Sequence, residues 1–204
     1  MLKQQGLRFE KILLLLANGF ESYETSVFTD VFGWNSFEGD GSVQLDSVGL
    51  HPILECTWGY KCIPHFTLDQ IKLEDYDALA IPGGFEETGF YIDAFDERFL
   101  DVIRYFNKEN KLISSICVAA LSIAKSGVLN GRNATTYNFE GSIRRKQLQD
   151  LGTILSDKRI VQDSNIITSS SPETALDVAF MTLEQLTSTE NMLNIKKRMG
   201  FKTV

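Results

Sequence analysis

The chain has 204 residues, 43% of them hydrophobic and 23% charged, the balance of a soluble globular protein able to bury a full core sheet. Its net charge of −7 argues against phosphate-backbone binding and so against a nucleic-acid partner. Three cysteines, an odd count, are too few for a disulfide framework and point to a reducing cytoplasm.

Residues 1–10 form a charged leader, followed by the apolar run Ile12-Leu13-Leu14-Leu15-Leu16-Ala17. That run is far too short to span a bilayer. Asn18-Gly19-Phe20-Glu21 is no small-residue cleavage site, so a buried first strand, Lys11–Ala17, explains it better than a signal peptide. No membrane partner is expected. Asn18-Gly19 leads into an amphipathic helix with Val27, Phe28, Val31, Phe32 and Trp34 on its apolar side. After the turn Gly39-Asp40-Gly41 comes a strand, Val43–Gly49. Short extended pieces at Ile53-Leu54 and Lys61-Cys62-Ile63 flank a hairpin turn at Trp58-Gly59.

Ala78-Leu79-Ala80-Ile81 is a continuous apolar strand that stops at Pro82-Gly83-Gly84. A helix over Asp96–Asn107 carries Phe99, Ile103 and Phe106 at helical spacing. Lys111–Ile116 reads as a strand and Val118–Ser126 as a helix closed by Gly127. Asn130-Gly131 turns the chain into Ala134–Tyr137, and a helix follows over Gly141–Leu151. Ile154-Leu155, Ile160-Val161 and Ile166-Ile167-Thr168 are extended, the last two joined at Asp163-Ser164-Asn165. Ser171 caps and Pro172 opens a helix running to Leu186. The tail, residues 187–204, carries one more helical stretch. The basic runs Arg144-Arg145-Lys146 and Lys196-Lys197-Arg198 read as solvated helix faces.

Strands alternating with helices predict an α/β fold. We expect one domain over residues 1–204, with its core at about 11–186. Its architecture is a three-layer sandwich, a mostly parallel sheet with helices on both faces. In such folds ligands sit at the carboxyl ends of the strands. That rule gathers the loops Asn18–Glu24, Pro82–Glu87, Ser115–Val118 and Thr168–Glu173 onto one rim.

Cys117 is the most informative residue on that rim. A lone cysteine between a strand and a helix matches a nucleophile elbow, which demands small residues two positions either side. Ser115 and Ala119 meet the demand. The elbow lifts the sulfur clear and aims it at a helix N-terminus, whose N–H groups and partial positive charge favour a thiolate. The plainer alternative is a buried core cysteine.

Four separated motifs, Gly19-Phe20-Glu21-Ser22-Tyr23-Glu24-Thr25, Pro82-Gly83-Gly84, Ile116-Cys117 and Gly131-Arg132-Asn133-Ala134-Thr135-Thr136, resemble the ThiJ/PfpI family. That family includes intracellular proteases and amidases and the parkinsonism-associated deglycase. Its fold is flavodoxin-like, of the class I glutamine-amidotransferase type. The resemblance runs from about Lys11 to Leu186. It implies that Cys117 is the reactive cysteine and that Glu24 is the acid whose protonated side chain hydrogen-bonds it. It implies further that Gly84 and Val118 are backbone donors facing the sulfur, with Glu21 in a lesser acidic role, and that the protein is a homodimer. Two departures stand out. Protease-like members carry His directly after the cysteine, where this chain has Val118; others carry His where it has Tyr137.

Without histidine, a helix N-terminus supplies up to ~2 kcal/mol, which at ~1.36 kcal/mol per unit lowers a thiol from ~8.5 by about one unit. The rest falls to Glu24, and only a protonated carboxyl helps, because an ionised one repels a thiolate. The expected activity is therefore that of a cysteine-dependent small-molecule hydrolase, lyase or hydratase acting on a glyoxal, amide or isonitrile. The alternatives are a redox sensor working through oxidation of Cys117, an intracellular protease or amidase, and a binding module retaining only the fold. Gly83, Phe85, Tyr137 and Ser171 are further pocket candidates, with Phe90, Tyr91 and Phe95 completing an aromatic cluster. No cofactor and no metal are expected: Cys56 and Cys62 lack further thiols or spaced histidines. His51 and His65 read as structural.

Overall fold

The computed structural model describes residues 9–202, so most of the charged leader and the last two residues lie outside the described part. The first half of the chain forms β1 (Glu10–Leu16), α1 (Ser22–Glu38), β2 (Val43–Gly49), β3 (Leu54–Glu55), β4 (Lys61–Cys62), β5 (Phe66–Thr67), β6 (Ala78–Ile81), α2 (Phe90–Ala94) and α3 (Glu97–Lys108). The second half forms β7 (Leu112–Ser115), α4 (Ala120–Lys125), β8 (Asn133–Ala134), α5 (Arg144–Asp150), β9 (Ile154–Leu155), β10 (Ile160–Asp163), β11 (Ile166–Ser169), α6 (Ala175–Leu186) and α7 (Thr189–Arg198).

Seven strands make one sheet in the order β10-β11-β7-β6-β1-β2-β5. All neighbours are parallel except β10, which pairs antiparallel with β11 across a tight turn at Ser164. Parallel strands covered on both faces need no polar side, which is why β1 is apolar from Ile12 to Leu16 and buried throughout. α1, α6 and α7 pack together as one layer, and α3 with α4 as the other. The result is the three-layer α/β sandwich. α3 buries Phe99, Ile103 and Phe106 against the sheet, and Asp96 caps its start by accepting from the Arg98 N–H at 2.9 Å. Among the described residues no helix is long and apolar enough to cross a membrane.

The chain leaves β1 toward β2 and β5, then returns to the other side of β1 as β6 and β7. The helices that follow β1 and β6, α1 and α3, therefore lie in opposite layers, which makes the carboxyl ends of these strands the switch point where such folds bind ligands. Several local expectations are corrected. Trp34, expected on the buried side of α1, is 41% exposed. The extended piece expected over Ala134–Tyr137 pairs only through Asn133 and Ala134, and the helix expected from Gly141 begins at Arg144. Ser171 does not cap with its side chain; its hydroxyl turns to Glu173 at 3.4 Å, and Pro172 opens a 3-10 turn before α6.

Candidate active site

β7 ends at Ser115, Ile116 is still extended, and Cys117 turns the chain with φ 56°. The left-handed region costs a non-glycine residue roughly 1–2 kcal/mol, so its surroundings must impose it. They do so through the backbone. Ile116 N–H donates to Ile81 C=O at 3.1 Å and Ala119 N–H to Ile116 C=O at 3.0 Å. The Thr136 hydroxyl donates to the Cys117 carbonyl at 3.0 Å. Ser115 and Ala119 are wholly buried, and Ser115 tucks its hydroxyl against the Ile167 carbonyl at 3.2 Å. A 3-10 turn, Cys117–Ala119, then runs into α4.

Glu24 lies in the first turn of α1 and is completely buried. Its Oε2 accepts from the Gly83 N–H at 2.6 Å. Burial, reinforced by the charge of Glu21, pushes this carboxyl up to about 8, against the opposing pull of the Gly83 bond and the Cys117 thiol. At neutral pH Glu24 is therefore mostly protonated. Oε1 is buried without an aligned hydrogen bond. Gly83 is glycine because a Cβ there would lie 2.9 Å from Glu24 Oε2 and 3.1 Å from the Ile116 carbonyl.

Cys117 is only 5% exposed, so the sulfur is not lifted clear as the elbow motif suggested. Burial, then the charge of Glu24, pushes its thiol up, and the Val118 N–H bond to sulfur opposes them. The expected thiolate therefore does not follow from the helix N-terminus alone. Two buried acids in contact cannot both ionise cheaply, so Cys117 and Glu24 titrate as one pair.

Phe20 and Gly84 form an isolated antiparallel bridge, with Glu21 N–H donating to Gly83 C=O at 2.8 Å and Phe85 N–H to Gly19 C=O at 3.4 Å. The Gly84 N–H takes part in neither bond. No other residue fits here, since a Cβ on Gly84 would lie 2.3 Å from the Gly19 carbonyl and 2.5 Å from the Phe90 ring.

Above the sulfur opens a cavity of about 520 Å³. Of the sequence candidates, Cys117, Val118, Gly84, Glu21, Phe85 and Tyr137 all line it. Gly83 and Ser171 do not: Gly83 backs the Glu24 carboxyl, and Pro172 takes the place expected of Ser171. The aromatic cluster divides. Phe90 is core, Tyr91 and Phe95 stack on each other at 4.7 Å, and only Phe85 reaches the cavity.

Phe139, Ile143 and Arg144 also wall the cavity, and sequence reasoning missed them. Arg144 is no solvated face: its side chain is 15% exposed, bonds Glu86 at 2.7 Å and lies 5.2 Å over the Tyr91 ring. The one available signal was the apolar pair Phe139 and Ile143 flanking Gly141-Ser142, just after the Tyr137 position. Neither histidine lines the cavity. His65 Nδ1 accepts from the Ser47 N–H at 3.0 Å, and His51 pairs with buried Asp93 at 3.0 Å. Among the described residues no group of three or more His, Cys, Asp or Glu could hold a metal ion, and all three cysteines are free.

A family model described as the DJ-1/PfpI family matches residues 10–185. Protein DJ-1alpha of Drosophila melanogaster is 30% identical over 190 residues, covering 92% of this chain and 82% of that protein. The crystal structure of Drosophila melanogaster DJ-1beta superposes with a TM-score of 0.82 at 26% identity, covering 96% of this chain and 100% of that one. Schizosaccharomyces pombe DJ-1 gives a TM-score of 0.78 at 25% identity, covering 94% of this chain and 100% of that one.

Proposed function

The chain belongs to the DJ-1/PfpI family, and from that premise we propose a cysteine-dependent enzyme for small electrophiles, a hydrolase, lyase or hydratase of a glyoxal, amide or isonitrile. One observation carries this reading: a wholly buried Glu24 carboxyl, held by the Gly83 N–H and raised to about 8, lies beside Cys117 under an open cavity.

The Cys117–Glu24 pair gives up the thiol proton to solvent water, the carboxyl keeps its own, and the thiolate sulfur attacks the electrophilic carbon. As the C–S bond forms, the carbonyl electron pair moves onto oxygen. The Gly84 N–H, unused by its bridge, and the Val118 N–H, released as the sulfur loses its charge, hold that oxygen. Glu24 then passes its proton to the oxygen, acting as general acid. Peptide or amide cleavage needs a further proton for the leaving amine. With Val118 and Tyr137 at the usual histidine positions, Glu24 would have to supply it alone.

A second reading rests on the same unused Gly84 N–H. Oxidation of Cys117 to sulfenic or sulfinic acid would place an oxygen where that donor could hold it, making the protein a redox sensor. We extend the proposal to a homodimer, supported by family membership and by exposed Trp58, Tyr60 and Ile63 around the β3–β4 hairpin. The three free cysteines support a place in the cytoplasm.

Turnover of methylglyoxal with intact-mass analysis tests these readings. The enzyme reading expects turnover that Cys117→Ser abolishes and Glu24→Gln lowers about a hundredfold or more. Selective oxygen addition at Cys117 under peroxide, with no turnover, supports the sensor instead. Absence of both turnover and oxygen addition refutes the sensor and, of the enzyme readings, the glyoxal one.

A further inference from the structure

We propose that the cavity over Cys117 selects electrophiles carrying an organic cation, an ammonium group held beside the reacting carbon; this rests on the reading of Cys117 as the nucleophile.

The Glu21 carboxyl is the first reason. Glu21 is 9% exposed and lines the cavity, yet its side chain makes no hydrogen bond or ion pair among the described residues. A buried acid without a partner is costly, and a bound cation would offset that cost. The rim is the second reason. Glu86, Glu87 and Glu140 surround the opening, and the one cation in the lining, Arg144, is already engaged. Its guanidinium bonds Glu86 at 2.7 Å and Gln147 at 3.0 Å and lies over the Tyr91 ring. A substrate carboxylate would find no uncommitted positive charge there.

The walls are the third reason. Phe85, Tyr137 and Phe139 line the same cavity, with Tyr137 and Phe139 stacked at 6.4 Å and Trp58 packed behind Phe85 at 5.5 Å. Aromatic faces attract alkylated ammonium groups through the ring quadrupole. Aromatic walls, an unpaired buried carboxylate and an acidic rim together suit a cationic aldehyde or amide and repel a 2-oxo acid.

Three methanethiosulfonates test the idea: 2-(trimethylammonium)ethyl, its neutral isostere 3,3-dimethylbutyl, and 2-sulfonatoethyl. In each, the Cys117 sulfur attacks the sulfenyl sulfur, a disulfide forms, and methanesulfinate leaves with the electron pair. Labelling is followed by intact mass, with each rate divided by that of 2-mercaptoethanol. One uncompensated carboxylate at ~8 Å in water-like surroundings changes the rate for a charged reagent about two- to threefold. Several acting together give about a tenfold preference of cation over isostere, and a similar one of isostere over anion, both shrinking with added salt.

Glu21→Gln changes all three rates, because its charge also bears on Cys117, so the ratio is the readout. Glu21→Gln, and separately Glu87→Gln with Glu140→Gln, should bring the cation-to-isostere ratio toward one. An isostere as fast as the cation, or a ratio untouched by these variants, overturns the proposal. If no reagent labels Cys117, the nucleophile reading itself fails, and calorimetry of choline with Cys117→Ser then decides. Saturable binding weakened by Glu21→Gln supports the cation site, and no binding overturns it.

Discussion

Replacing Glu24 by Gln removes one titration while keeping an oxygen to accept the Gly83 N–H, so its effect on stability isolates the buried proton. The folded carboxyl titrates at about 8 against an ordinary value of 4.5. Between those values native Glu24 holds a proton that the unfolded chain has lost. Its folded pKa is raised, so its contribution is complete below pH 4.5 and disappears as pH climbs through about 8. The slope is about 1.4 kcal/mol per pH unit, or about 5 kcal/mol over the whole interval at ~1.36 kcal/mol per unit. Cys117 adds to the loss only above the ordinary thiol range near ~8.5. Glu21, which burial also raises, titrates in both proteins and largely cancels. Urea unfolding of wild type and Glu24→Gln at several values between about pH 5 and about pH 8 measures the difference. Wild type should lose ground on the variant by about 1.4 kcal/mol for each unit of pH. Parallel profiles would refute the reasoning, because a carboxyl already ionised in the folded protein leaves no such slope.

Gly84→Ala forces a Cβ to within 2.3 Å of the Gly19 carbonyl, backbone that cannot swing away. Thermal unfolding should show a loss of about 3 kcal/mol or more, at the upper end of overpacking effects. Thr136→Val removes the 3.0 Å bond to the Cys117 carbonyl that helps impose the elbow. It should cost about 1 kcal/mol in denaturant unfolding and slow iodoacetamide labelling of Cys117. Tyr137→Phe should leave that labelling rate within about twofold, since the side chain lines the cavity with its ring stacked on Phe139 and the variant keeps that ring; a large loss would make Tyr137 a participant rather than a wall.

The layers of the fold were legible because burial leaves a periodic trace. Ile12–Leu16 had to be a central strand, and Phe99, Ile103 and Phe106 had to face the sheet. The position of Cys117 was legible for a similar reason, since strand, cysteine and helix follow each other with small residues at Ser115 and Ala119. What stayed hidden was set by tertiary contact. Whether a sulfur at an elbow is open or covered depends on what packs over it, and here residue 117 is nearly buried. Arg144 looked like any charge on a helix, and only its Glu86 and Tyr91 partners, distant in sequence, turn it into a cavity wall. Ser171 carried the right cap signal, yet its hydroxyl found Glu173 instead.

Carbon-13 NMR titration of the Glu24 carboxyl, observed together with the Cys117 Cβ, measures the shared proton directly. The account predicts a Glu24 midpoint near 8, with the Cys117 carbon shifting in the same step. A Glu24 midpoint in the ordinary range near 4.5, with the Cys117 signal unmoved, would contradict it.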